Sequence, residues 1–192
     1  MRVLGIVGSL RRDSYNHALL RVAAERLPAG VELVEFDRLG EIPLYDADLE
    51  AGDAPAPEAV DALREAMREA DAVLIATPEY NHSIPGVLKN ALDWASRPAG
   101  ESALTGTPAA VIGASTGMFG AVWSQAETRK VLGALGGRVV ETELPVPHAA
   151  QVNAGGKLEL GPEQTEVLDG LLAELVSEAE ELREGLEARV AA

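Results

Sequence analysis

The 192-residue chain contains no cysteine. Disulfides, thiolate metal sites and a redox thiol pair are therefore excluded. That absence leaves the compartment open, and cytoplasm is the default expectation. Basic residues are also in short supply: 16 Lys and Arg stand against 31 Asp and Glu, a formal net charge of −15. A field of that sign works against nucleic acid and anionic membrane surfaces, although local donors can still hold a single phosphate. No apolar run approaches the roughly 20 residues that cross a bilayer, so no membrane span is expected. The Gly-rich start, Met1 to Gly8, reads as a strand and is too short for a signal peptide. The three histidines, His17, His82 and His148, are too scattered for close metal-ligand spacing, and no metal is expected. There is no internal repeat and no linker, so residues 1–192 read as a single domain of ordinary size.

What the chain does contain is an alternation of short apolar runs with amphipathic stretches. Apolar residues make up 47%, enough for a globular core. Strands are expected from about Arg2 to Gly8, Val31 to Phe36, Ala72 to Thr77, Ala109 to Gly113 and Arg138 to Val146. Helices are expected from about Ser14, from Pro57, from Val87 to about Ser96, from Ala121 to Leu135 and from Pro162 onward. Asp13 or Ser14 can cap the first of these, and Pro162 suits the first turn of the last. The stretch from Ala149 to Gly161 reads as irregular. Five strands alternating with helices give an α/β fold, a parallel sheet covered on both faces. The first strand is the most apolar and the second alternates like an edge. The order 2-1-3-4-5 of a flavodoxin-like three-layer sandwich fits best.

Three strand-to-helix loops carry polar side chains, and ligands of open parallel sheets sit where strands end. The first is Gly8-Ser9-Leu10-Arg11-Arg12-Asp13-Ser14-Tyr15-Asn16. A helix N-terminus offers unpaired N–H groups and partial positive charge, and Ser9, Arg11, Ser14 and Asn16 add donors, so the loop suits a phosphate monoester. It contains neither G-x-G-x-x-G nor the Walker A pattern. Ser9 and Ser14 acting only as helix caps is the blander and compatible alternative. The second loop, Pro78-Glu79-Tyr80-Asn81-His82-Ser83-Ile84-Pro85-Gly86, suits a rigid turn beneath a flat, polar-edged ring, or equally an ordinary turn with a solvated Glu. The third, Gly113-Ala114-Ser115-Thr116-Gly117, matches G-x-S-x-G between a strand and a helix. A serine hydrolase would take Ser115 as nucleophile, with Glu127, Glu141 or Glu143 and His148 as partners. Small residues at such a turn also serve close backbone approach alone. Trp94 and Trp123 sit in helical patterns that suit the core or a subunit interface.

Taken together, these loops resemble those of the NADPH-dependent FMN reductases, a family that includes quinone, chromate and azo-dye reductases. The similarity rests on Gly8-Ser9-Leu10-Arg11 with Ser14 and Asn16, on the run from Pro78 to Trp94, and on Ser115-Thr116-Gly117 with Gln125 and Arg129. It extends to about Val146 and includes Pro43-Leu44-Tyr45-Asp46. The resemblance implies an FMN-dependent oxidoreductase that takes hydride from NADPH or NADH and reduces a small-molecule acceptor by ping-pong kinetics. It implies that Ser9, Arg11, Ser14, Tyr15 and Asn16 surround the FMN phosphate. Pro78, Glu79, Tyr80 and Asn81 would line the isoalloxazine, and Ser115, Thr116 and Gly117 would meet its other rim. No catalytic side chain is implied. The family forms homodimers and homotetramers, and the loop around Tyr45 would lie over a neighbouring subunit's flavin. A non-enzymatic flavin-binding module is the remaining alternative.

Overall fold

The computed structural model describes residues 1–50 and 55–190. The chain runs β1 (Arg2–Val7), α1 (Tyr15–Arg26), β2 (Glu32–Phe36), α2 (Glu58–Glu69), β3 (Ala72–Thr77), α3 (Gly86–Ala95), β4 (Pro108–Ala114) and α4 (Val122–Ala134). Then follow β5 (Arg138–Val139), β6 (Leu144–Val146), β7 (Asn153–Ala154), β8 (Lys157–Leu158) and α5 (Pro162–Val190). The main sheet is parallel in the order β2-β1-β3-β4-β5, with β6 also paired to β4. This is the expected flavodoxin-like order.

The sheet is apolar on both faces, as a covered parallel sheet must be. β3 and β4 are buried at every position. Leu74, Ala76, Ala110 and Ile112 pack against α1 and α5, through Leu19, Leu20, Leu171 and Leu175 among others. Val73, Ile75, Ala109 and Val111 pack on the opposite side against Leu63 and Met67 of α2 and Leu88, Leu92 and Trp94 of α3. Strand alternation thus sorts neighbouring residues into two separate cores. β2 alternates exposed and half-buried residues, as an edge strand does.

Two expectations change. The fifth strand is split. Arg138 and Val139 pair with Pro108 and Ala109, and Leu144 to Val146 pair with Ile112 to Ala114. Where the ladder resumes, Leu144 N–H also donates to the side-chain oxygen of Gln125 at 3.1 Å, and Arg129 pairs with Glu143 just before it. The stretch after Ala149 is also less irregular than expected, since β7 and β8 form an antiparallel hairpin. Gly155 and Gly156 both have positive φ at its turn, the backbone a type I′ hairpin turn requires. The Gly-Gly pair was a legible signal for it.

Parallel register brings the ends of three strands to one edge. Val7 lies beside Ala76, and Thr77 lies beside Gly113. Gly8 N–H extends the β1–β3 ladder to the Ala76 carbonyl at 2.9 Å. The three polar loops therefore leave the sheet side by side, at and next to the β1–β3 switch point, where the direction of winding reverses.

Candidate active site

The first loop is built around two buried hydroxyls. Ser9 accepts a hydrogen bond from Arg11 N–H at 3.3 Å, and Ser14 accepts from Asn16 N–H at 3.2 Å. Both serines are buried. Ser14, rather than Asp13, is the cap of α1. No acidic residue occupies the first turn of α1, so its positive end is not internally neutralised. Arg11 is exposed, and its guanidinium lies 4.7 Å above the Tyr15 ring. That stacking holds a cation at the loop's outer rim while leaving its N–H groups available.

Asn16, expected beside the phosphate, also has a structural partner. Its Nδ2 donates to the Ala114 carbonyl at 3.0 Å, and its Oδ1 accepts from Ala114 N–H at 2.9 Å. One Nδ2 hydrogen and Oδ1 are thus engaged with the end of β4, and the residue is buried. Asn16 therefore ties the first loop to the third.

The second loop folds as a tight reversal. Tyr80 and Ser83 exchange backbone hydrogen bonds at 3.2 and 3.1 Å, while Asn81 and His82 have φ of 52° and 59°. Asn is among the residues that tolerate this region. The turn leaves Tyr80, Asn81 and His82 exposed, with Pro78 buried beneath them. A Cβ at Gly8 would come within 3.3 Å of Pro78 Cδ, so the first and second loops pack directly.

Glu79 leaves the loop sideways. Its Oε2 accepts from Trp123 N–H at 3.0 Å and from Ser124 N–H at 3.2 Å, and its side chain is 12% exposed. It is therefore a capping carboxylate for α4 supplied from another loop. Thr77 and Ser124 hydroxyls meet at 2.9 Å alongside it. His82 approaches Glu79 at 3.7 Å and packs edge-on against Trp123, which in turn packs against Phe119. Trp123 and Phe119 are thus surface residues.

The third loop closes the edge. Ser115 is half-buried, and Thr116, Gly117, Met118 and Phe119 are exposed. It is pinned from below: Ser115 N–H donates to the Val146 carbonyl, and His148 N–H donates to the Gly117 carbonyl. Gly120, at φ 59°, has no room for a side chain, because a Cβ would lie 2.6 Å from Val146 N and 2.7 Å from the Pro145 carbonyl carbon. Gln125 bridges the Gly120 carbonyl and Leu144 N–H.

A nucleophile elbow places its serine on a strained turn. Ser115 is not among the positive-φ residues, and among the described residues no hydrogen bond links its hydroxyl to a histidine or carboxylate. The hydrolase constellation is not assembled.

Trp94 belongs to the core. It is fully buried, donates to the Pro43 carbonyl at 2.8 Å and meets Tyr45 edge-on at 5.0 Å. Asn90 joins the same clamp, donating to Pro43 and accepting from Tyr45 N–H. Leu44, between them, is 82% exposed.

The donor set suits a phosphorylated, planar ring ligand: a cap-and-cation loop for the anion, a buried-proline turn beside it and a backbone-rich loop opposite. FMN is such a ligand. The comparisons agree. A family model described as NADPH-dependent FMN reductase matches residues 1–151. An NAD(P)H-dependent FMN reductase from Pseudomonas aeruginosa is 50% identical over 132 residues, which cover 69% of each chain. A 2-hydroxy-1,4-benzoquinone reductase from Burkholderia is 45% identical over 131 residues, covering 68% of this chain and 69% of that protein. The solved structure of a flavoenzyme NAD(P)H:(acceptor) oxidoreductase from Paracoccus denitrificans matches with a TM-score of 0.80 at 38% identity, covering 94% of this chain and 97% of the other. With a matched family model over most of its length and the three loops in place, the chain belongs to the NADPH-dependent FMN reductase family.

Proposed function

We propose that the protein is an NAD(P)H-dependent FMN oxidoreductase that reduces small quinone-type acceptors, and that residues 1–192 work as one flavin-binding domain. The observation that carries the reading is the meeting of three polar loops at one sheet edge, with an acid-free helix N-terminus in the first. FMN, held by these loops, would supply two-electron redox chemistry between a nicotinamide and the acceptor.

The chain's own residues bind and orient. Backbone N–H groups of the first loop, with Ser9, Ser14 and Arg11, hold the phosphate. Tyr15 holds Arg11 in place by stacking. Pro78, Tyr80 and Asn81 line the ring on one side, and Ser115, Thr116 and Gly117 meet its far rim. No side chain is assigned a proton-transfer role. Quinones fit because two of the relatives described above act, by their names, on quinones or unspecified acceptors. Self-association into a homodimer or homotetramer belongs to the same reading. Leu44, exposed beside the Tyr45–Trp94 clamp, and the surface ring of Trp123 supply apolar area for it.

The test is an absorption spectrum of purified protein with added FMN, before and after anaerobic NADPH. Flavin bands that bleach with NADPH and return with a benzoquinone support the reading. Bands that persist with both NADPH and NADH would replace it with a binding module, and a colourless protein would overturn the phosphate loop.

A further inference from the structure

Glu79 is the one carboxylate that the second loop directs into the rest of the edge rather than toward solvent. Its Oε2 bridges the N–H groups of Trp123 and Ser124, and it is only 12% exposed. No acidic residue lies in α4's own first turn. Glu79 thus sets a full negative charge against the half-positive end of α4, at the junction of the second and third loops.

We propose that Glu79 is a positioning residue that holds these two loops together and also sets the redox poise of the ring between them. This rests on the FMN reading given above. The physical argument concerns charge. With Glu79 ionised, the local sum over carboxylate and helix end is negative, and added electron density on the ring is disfavoured. Without the charge, the bare end of α4 would favour it. In a partly water-excluded edge such a unit charge acts at low effective dielectric. A cap serving only the fold would behave differently, because a neutral glutamine can accept the same two hydrogen bonds through its amide oxygen.

The experiment compares wild type, Glu79→Gln and Glu79→Asp holoproteins. FMN affinity is measured by fluorescence quenching, and the two-electron midpoint potential by equilibration with a reference dye at one pH. Glu79→Gln is expected to keep FMN within about threefold and to raise the equilibrium constant for reduction at least tenfold, about 30 mV for a two-electron couple. Glu79→Asp, which keeps the charge, is expected to leave the potential within threefold of wild type. A Glu79→Gln potential equal to wild type overturns the proposal, even if affinity falls, since that is a cap and nothing more. Equal shifts in both variants also overturn it, because geometry rather than charge would then be responsible. Wild type that binds no FMN would fail at the first step and overturn the FMN reading itself.

Discussion

Asn16 and Ala114, 98 residues apart in sequence, are joined by a pair of opposed hydrogen bonds: the side-chain amide gives one to the backbone carbonyl and takes one from the backbone N–H. The first turn of α1 and the last residue of β4 are thereby held at a fixed separation. The first and third loops cannot move apart without breaking both bonds.

Asn16→Ala should therefore affect stability before chemistry. It strands a buried N–H and a buried C=O, each worth about 1–3 kcal/mol when unpaired. A loss of about 2–3 kcal/mol in urea unfolding is expected, together with weaker FMN binding. Asn16→Asp should be no better, because a carboxylate cannot donate to the Ala114 carbonyl. A variant as stable as wild type would show that water replaces the amide.

Gly120 gives a second stability test. Its φ is 59°, and a β-carbon there would lie 2.6 Å from Val146 N, so it has nowhere to go. Gly120→Ala must displace either the third loop or β6. We expect a lowered melting temperature, and an FMN affinity reduced at least tenfold. Unchanged affinity would mean that the third loop does not touch the ring.

Arg11 is exposed and leans on Tyr15, so its removal should leave the fold alone. A charge-assisted hydrogen bond to phosphate is worth about 1.5–3 kcal/mol, or roughly 10- to 150-fold in affinity. Arg11→Ala should raise the FMN Kd by that order and leave turnover at saturating FMN nearly unchanged. A variant that keeps its flavin but cannot be reduced by NADPH would contradict the assignment.

Away from the site, Arg26 grips Asp169 with two 2.5 Å hydrogen bonds, joining α1 to α5. That hydrogen bonding holds the Asp169 carboxyl below its ordinary range. A depressed carboxylate adds stability that is fully present above its unfolded pKa, about 3.9. The contribution is lost as pH falls through the folded value. The pair is solvent-accessible, so the contribution is modest. The stability gap between wild type and Asp169→Asn should be constant from pH 6 to 8 and shrink as pH falls below about 4. A gap that does not shrink at all as pH falls below about 4 would place the effect elsewhere than in the charge.

Much of the fold was legible in the order of the residues. Short, β-branched apolar runs such as Ala72–Thr77 and Ala109–Gly113 read as strands buried on both faces, and their alternation with amphipathic segments leaves a parallel sheet as the economical packing. Strand ends, and with them the three loops, follow from that pattern. So does the capping role open to Ser14, because a cap depends on neighbours two and three residues away. What tertiary structure decided are the long-range partners of polar side chains. Nothing around Asn16 in the sequence points to Ala114, 98 residues on, as a partner of its side chain. Nor does the turn around Glu79 show that its carboxylate reaches the N-terminus of α4. Gln125 gave no sign that its side chain would bridge the Gly120 carbonyl and Leu144 N–H. Hydrophobic periodicity is a local property written every two or four residues. A single polar side chain has no period, and its partner is fixed only once the chain has folded.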